Sequence, residues 1–227
     1  VEEGSYGAAT RSEFLKIDHY DSTPTGLGPV YALFFDDNAN DTATTANPGQ
    51  LVPPIGDENN LIHAGGGADR IISGNGDDQL YGEGDNDQLY GGLGDDRLYG
   101  GSEDDDLFGD NVAVSASGGN DFLDGGEGND LVGGGVGRDI LFGGSGNDNL
   151  NGDVPTGGNN SGGFDDYLDG EAVDDELHGA AGSDVLIGGT GNDLLIGDTT
   201  QYQNGTPEAG GNDSLDGGEG QDQLFGL

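Results

Sequence analysis

The sequence predicts an all-β repeat fold, in which short strand-and-turn units stack behind an N-terminal segment that does not repeat. Three observations predict it. From Ser73 to Phe108 the chain reads as four consecutive nine-residue units, SGNGDDQLY, GEGDNDQLY, GGLGDDRLY and GGSEDDDLF. Each carries Asp at its sixth position, an aliphatic residue at its eighth and an aromatic at its ninth, with glycine crowding the first four. No single unit holds enough apolar residues for a core of its own, so each must stack on its neighbours to bury anything.

Residue chemistry explains one unit. Glycines permit a tight turn with positive φ and let backbone carbonyls turn inward with no Cβ in the way. The position-six Asp adds a carboxylate beside those carbonyls. A cluster of hard oxygens with neither thiolate nor imidazole suits Ca²⁺, which takes about 6–8 oxygen ligands at roughly 2.3–2.6 Å. Positions seven to nine fit a three-residue strand whose central side chain points inward.

The pattern GGxGxDxUx, with U a large aliphatic residue, resembles the repeat-in-toxin (RTX), or haemolysin-type, calcium-binding nonapeptide. The resemblance implies an all-β parallel β-roll, a right-handed two-sheet solenoid. Two units would make one coil, the glycine-rich turns would line both edges, and Ca²⁺ would lie between turns of adjacent coils. It also implies that position-six Asp is a metal ligand, helped by carbonyls of the glycine turn.

From Ala64 the register holds to Phe225. The expected metal ligands at position six are Asp69, Asp78, Asp87, Asp96, Asp105, Asp121, Asp130, Asp139, Asp148, Asp166, Asp175, Asp184, Asp193, Asp213 and Asp222. With them go the position-four turn glycines Gly67, Gly76, Gly94, Gly128, Gly137, Gly146, Gly182, Gly191 and Gly220. Position eight is equally strict: Ile71, Leu80, Leu89, Leu98, Leu107, Leu123, Val132, Leu141, Leu150, Leu168, Leu177, Leu186, Leu195, Leu215 and Leu224. Two invariant columns of unlike chemistry in one register do not arise by chance from a chain rich in Gly and Asp.

Residues 1–63 lack the nonapeptide and are expected to cap the first open coil, since a solenoid needs its end hidden. Strands are expected there over Glu13–Ile17 and Val30–Phe35. The run Asp36, Asp37, Asn38, Asn40 and Asp41 reads as a solvated turn or a further calcium loop. Residues 64–227 form the roll, broken by three long loops at 111–117, 154–162 and 199–209. Each stretched unit opens Gly-Asp, at Gly109-Asp110, Gly152-Asp153 and Gly197-Asp198. Three ordinary units separate one from the next, so all three loops should leave from one edge, where a solenoid can carry binding. Position four is Asp85, Glu103, Phe164 and Val173 in four units; weaker calcium binding is expected near Phe164 and Val173, and an added ligand from Asp85 or Glu103. Tyr81 with Tyr99, and Tyr90 with Phe108, should stack as ladders on opposite sheets.

The chain has 227 residues, 50 of them Gly, with 45 acidic against 5 basic residues and a net charge of −40. That charge and a hydrophobic content of 31% would describe a disordered chain if no cation bound. About a dozen Ca²⁺ would cancel over half of the repulsion, so metal binding and folding are expected to be one event. The acidity argues against nucleic acid and anionic membranes as partners. No apolar run is long enough for a transmembrane segment.

Lack of Cys excludes disulfides and thiol chemistry. His19, His63 and His178 form no ligand-spaced pair, no GxSxG or HExxH is present, and Lys16 is the single Lys. No enzyme activity is expected. The chain begins at Val1 without a charged-then-apolar leader, so a signal peptide is read as absent or removed. The resemblance implies a secreted, extracellular or cell-surface protein and type I secretion, although the C-terminal signal of relatives does not follow at Leu227. Three functions compete: a calcium-dependent module of a larger toxin, lipase or protease, a self-assembling surface-layer or matrix protein, and an adhesin whose long loops hold a surface ligand.

Overall fold

The computed structural model describes residues 59–110, 118–153, 164–198 and 211–226, and the backbone of five further strands. The roll is built from two sheets. One runs through Lys16–Tyr20, Val30–Phe34, Asn60–Gly66, Gln79–Gly84, Arg97–Ser102, Phe122–Glu127, Ile140–Ser145, Tyr167–Ala172, Val185–Ile187 and Ser214–Asp216. The other runs through Thr42–Thr44, Arg70–Asn75, Gln88–Leu93, Asp106–Asp110, Leu131–Gly133, Asn149–Asn151, Glu176–Ala180, Leu194–Asp198 and Gln223–Phe225. Within the repeats the chain alternates between them, so consecutive strands lie in opposite sheets and each strand pairs in parallel with the one a full coil away. This is the expected parallel β-roll.

The pairing register is the repeat register. Leu80 lies opposite Leu98, Leu98 opposite Leu123 and Leu123 opposite Leu141, while Leu89, Leu107, Val132 and Leu150 follow one another in the second sheet. Period-two alternation turns each position-eight residue inward and leaves positions seven and nine outside. From Ile62 to Leu195 every such residue is at most 1% exposed, and together they make one core a single side chain wide per strand. Each fully buried Leu contributes about 1.5–3 kcal/mol. Leu215 is only partly buried and Leu224 is 43% exposed, because no further coil covers them among the described residues.

The aromatic ladders are present and one is longer than expected. Tyr81 stacks on Tyr99 at 4.8 Å and Tyr90 on Phe108 at 5.2 Å between centroids. On the first sheet the ladder begins at His63 and continues through Phe122, Phe142 and Tyr167. Phe122 and Tyr167 stand at position seven, on the same outward side as position nine, so the row survives the change of position.

Ahead of the repeats, Val30–Phe34 pairs in parallel with Asn60–Gly66 and Thr42–Thr44 with Arg70–Asn75, so both sheets extend into the N-terminal segment. The first strand lies at Lys16–Tyr20, three residues beyond the start expected for it, where it pairs antiparallel with Val30–Phe34. The 36–41 run and most of the three loops lie outside the described residues; in the third loop Tyr202–Gln203 pairs antiparallel with Thr206–Pro207.

Candidate metal centres

The turns at the two edges carry the position-six aspartates in two columns. One edge holds Asp78, Asp96, Asp121, Asp139, Asp166, Asp184 and Asp213; the other holds Asp69, Asp87, Asp105, Asp130, Asp148, Asp175, Asp193 and Asp222. All except Asp213 and Asp222, in the last coil, are at most 4% exposed. A buried row of like charges needs a local reason, and the hydrogen bonds supply half of it. From Asp87 onward the Oδ1 of each Asp accepts the backbone N–H of the Asp one coil earlier: Asp69 donates to Asp87 at 2.8 Å, Asp78 to Asp96 at 2.7 Å, Asp105 to Asp130 at 2.8 Å and Asp139 to Asp166 at 2.8 Å. The ladder reaches Asp184 to Asp213 and Asp193 to Asp222 at 3.0 and 3.1 Å. The carbonyls of Asp69 through Asp193 meanwhile accept the position-seven N–H of the following coil, as from Arg97 to Asp78 at 2.8 Å.

The second oxygen has no such partner. Oδ2 of Asp87, Asp96, Asp105, Asp121, Asp130, Asp139, Asp148, Asp166, Asp175, Asp184 and Asp193 is buried and accepts no hydrogen bond among the described residues. An unpaired buried carboxylate oxygen is costly. In every unit from Gly82 onward it faces the position-one glycine of its own turn. A Cβ on Gly100 would strike the Asp105 carboxylate and stand 2.5 Å from the Gly125 carbonyl oxygen, and Gly125, Gly134, Gly152, Gly170 and Gly188 repeat the arrangement. The carboxylate therefore opens into a cradle rimmed by backbone carbonyls that only glycine leaves free.

Position four forms the other wall. Gly67, Gly76, Gly94, Gly128, Gly137, Gly146, Gly182, Gly191 and Gly220 all have positive φ, and where they follow one another along an edge the carbonyl of one is aimed at the next, as Gly76 at Gly94 and Gly128 at Gly146. Asp85, Glu103 and Val173 adopt the same left-handed conformation, at φ 68°, 75° and 85°. The turn thus keeps its backbone path despite these side chains, with the carbonyls of Glu103, Phe164 and Val173 still directed at Gly128, Gly182 and Gly191. Asp85 accepts the Gly67 N–H through Oδ2 at 3.1 Å.

Burial raises the carboxyl pKa values from their ordinary value, with neighbouring aspartates adding to it. Asp121 and Asp166 are pushed up to about 9, Asp96, Asp105 and Asp175 to about 8, and Asp87, Asp139 and Asp148 to about 7. Asp78, Asp130 and Asp184 rise to about 6. Without a cation these groups are poor anions; a bound divalent ion reverses that balance.

Among the described residues no three acidic or imidazole side chains converge on one point. The donor set is instead one buried carboxylate per turn with backbone carbonyls, all hard oxygens, and this fits Ca²⁺ rather than zinc or copper. Position-six carboxylates and turn carbonyls are the groups that would hold it.

Four features escape a reading based on Asp at position six. Asn60 occupies that place one unit earlier, donating to Asp78 Oδ1 through its N–H at 2.6 Å and its Nδ2 at 3.0 Å, with Ile62 and His63 at positions eight and nine. Allowing Asn at position six would have found it. A second ladder runs at position five, where Asp95 donates to Asp77 at 3.1 Å, Asn120 to Asp95 at 2.8 Å and Asn192 to Asp174 at 2.7 Å. There Arg138 pairs with Asp165 at 2.8 Å. The arginine at the head of the second sheet differs: Arg70 lies over the Tyr90 ring at 5.1 Å. Finally, Asp110, Asp153 and Asp198, the second residues of the stretched units, are buried at 7%, 4% and 5% exposure.

His63 and His178 sit against Glu83 and Glu176, each at 2.8 Å, on the surface. No helix among the described residues is long and apolar enough to cross a membrane. No curated protein matches the chain. The family described as the RTX calcium-binding nonapeptide repeat matches residues 55–89, 81–112, 114–141, 134–154, 160–198 and 209–227. With that period, those turns and those buried carboxylates, the chain belongs to the RTX calcium-binding nonapeptide repeat family.

Proposed function

We propose that this chain is a structural module that folds and stiffens when it meets calcium outside the cell, with about a dozen ions between its coils. The observation that carries the reading is the set of buried Oδ2 atoms, from Asp87 to Asp193, that accept no hydrogen bond among the described residues and face glycine cradles. The position-six aspartates and the turn carbonyls of the position-four residues are its ligands, and residues 1–63 act as its cap. In low calcium a chain of charge −40 stays extended and suited to export; in extracellular calcium the ions complete its interior. Its work is mechanical, and no catalysis is assigned to it.

A second reading, that the module presents a ligand-binding surface, is favoured by the three long connections. All of them run from the second sheet to the first, and so leave from one edge. Circular dichroism in chelator and in millimolar Ca²⁺, with bound ions counted by equilibrium dialysis, tests the main reading. The expected result is a disordered chain that becomes β-rich while taking up about a dozen ions. A chain equally folded in chelator, or one binding no calcium, refutes it.

A further inference from the structure

The three stretched units differ from the ordinary ones in the turn itself, beyond carrying an insertion. Along the edge from which the loops leave, position two is Gly74, Gly92, Asp110, Gly135, Asp153, Ala180 and Asp198. A buried aspartate therefore alternates with a small residue. The small residues make room: a Cβ on Gly135 would stand 2.6–2.7 Å from the Asp110 side chain, and one on Gly118 would collide with it. In ordinary units position two is left-handed, as at Gly74, Gly92, Gly135 and Ala180; among the described residues Asp110, Asp153 and Asp198 are not in that conformation. The stretched turn has given up part of the usual backbone cradle and gained a carboxylate in its place.

That carboxylate is only half used. Asp110 is 7% exposed; its Oδ2 accepts the Val136 N–H at 2.6 Å, while its Oδ1 is buried and accepts no hydrogen bond among the described residues. Its neighbours are acidic: Asp96, Asp121 and Asp139 all feel its charge. The same pairing of position two with position six recurs in the other stretched units, Asp153 beside Asp166 and Asp198 beside Asp213 and Asp184. In the Asp110 turn two carboxylates, Asp110 and Asp121, are buried with no basic side chain between them among the described residues, and they need a cation between them.

We propose that Asp110, Asp153 and Asp198 each complete a two-carboxylate Ca²⁺ site with the position-six aspartate of the same stretched unit, pinning the base of each long loop. This rests on the calcium reading above and adds to it a second class of site: ordinary turns offer one carboxylate and backbone carbonyls, whereas these three offer two carboxylates. Higher ligand charge makes them the tighter class. The loops at 111–117, 154–162 and 199–209 would then be anchored by metal at the point where each leaves the roll.

The test counts ions on the full chain. Asn keeps an oxygen able to accept the Val136 N–H but removes the charge, so D110N separates metal binding from hydrogen bonding. Equilibrium dialysis with Ca²⁺ should show the D110N/D153N/D198N chain, folded by circular dichroism, holding three fewer ions than the natural chain, taken from the tightest class. Should the triple variant not fold, the three single variants are counted, one ion lost from each. The E83Q/E171Q chain removes exposed charge at position two of the opposite edge and should keep the full count. An unchanged count in the aspartate variants, or an equal loss in E83Q/E171Q, overturns the assignment. A natural chain that binds no calcium fails the broader reading instead.

Discussion

Removing calcium should invert the usual response of a protein to acid. The carboxyl groups of Asp121 and Asp166 are pushed up to about 9, those of Asp96, Asp105 and Asp175 to about 8, and those of Asp87, Asp139 and Asp148 to about 7. With Asp78, Asp110, Asp130 and Asp184 at about 6, the calcium-free roll at pH 7 would hold about six to seven protons that an unfolded chain does not. The folded values lie above the unfolded ones, so the folded state binds more protons and its stability falls as pH rises. The window runs from about 4, where both states are protonated, to about 9. Even a third of that uptake, about two protons, changes stability by about 3 kcal/mol per pH unit. Chain stripped of calcium on a chelating resin and followed by far-ultraviolet circular dichroism should be disordered at pH 8 and gain β-structure towards pH 5. In saturating Ca²⁺ the direction reverses, because protons compete with the metal for the same oxygens. A calcium-free chain whose structure is indifferent to pH, or strengthens as pH rises, refutes the burial of these carboxylates.

Leu141→Ala, at a position with 0% exposure, should cost about 2–5 kcal/mol in calcium, whereas Leu224→Ala, where the side chain is 43% exposed, should cost far less; thermal melts compare them. Val173→Gly should stabilise the chain by about 0.5–1 kcal/mol and lower the calcium midpoint, since a β-branched residue at φ 85° gives up roughly 1–2 kcal/mol of strain against a smaller loss of backbone entropy. A higher midpoint would show that the side chain supports the turn. Gly100→Ala should abolish one ion and locally open the coil, read by calcium counting and amide exchange, because its Cβ has no space beside Asp105 and Gly125. Asp148→Ala should speed amide exchange at Asp130, whose N–H it accepts at 2.8 Å, by at least about tenfold while leaving the Asp148 N–H on Asp175; Asp148→Asn should spare both.

Much of this was legible because each structural role is repeated. A strand of three residues has one inward place, so the position-eight column from Ile71 to Leu195 names the core directly, and positive φ at position four is written as glycine in most units. What stayed hidden depends on contacts between coils, 18 residues apart in ordinary units and 25–29 where a loop intervenes. The two adjacent acidic or amide places illustrate it. At position six the backbone N–H donates forward, as Asp78 to Asp96; at position five it donates backward, as Asp77 to Asn59 and Asp95 to Asp77. Neighbouring residues of one turn therefore tie it to the coil before and the coil after, and an acceptor oxygen serves at both places for opposite reasons, although position five also admits Ala68 and Arg138. This explains why Asn serves at position 60. Its own N–H still reaches Asp78, and its side chain keeps an oxygen able to accept a hydrogen bond. Along the rest of the column Asn could still take that hydrogen bond, so the demand for Asp must come from the second oxygen, which from Asp87 to Asp193 faces the glycine cradle and accepts no hydrogen bond among the described residues. An invariant negative charge with only half its oxygens in use points to a cation as the other partner.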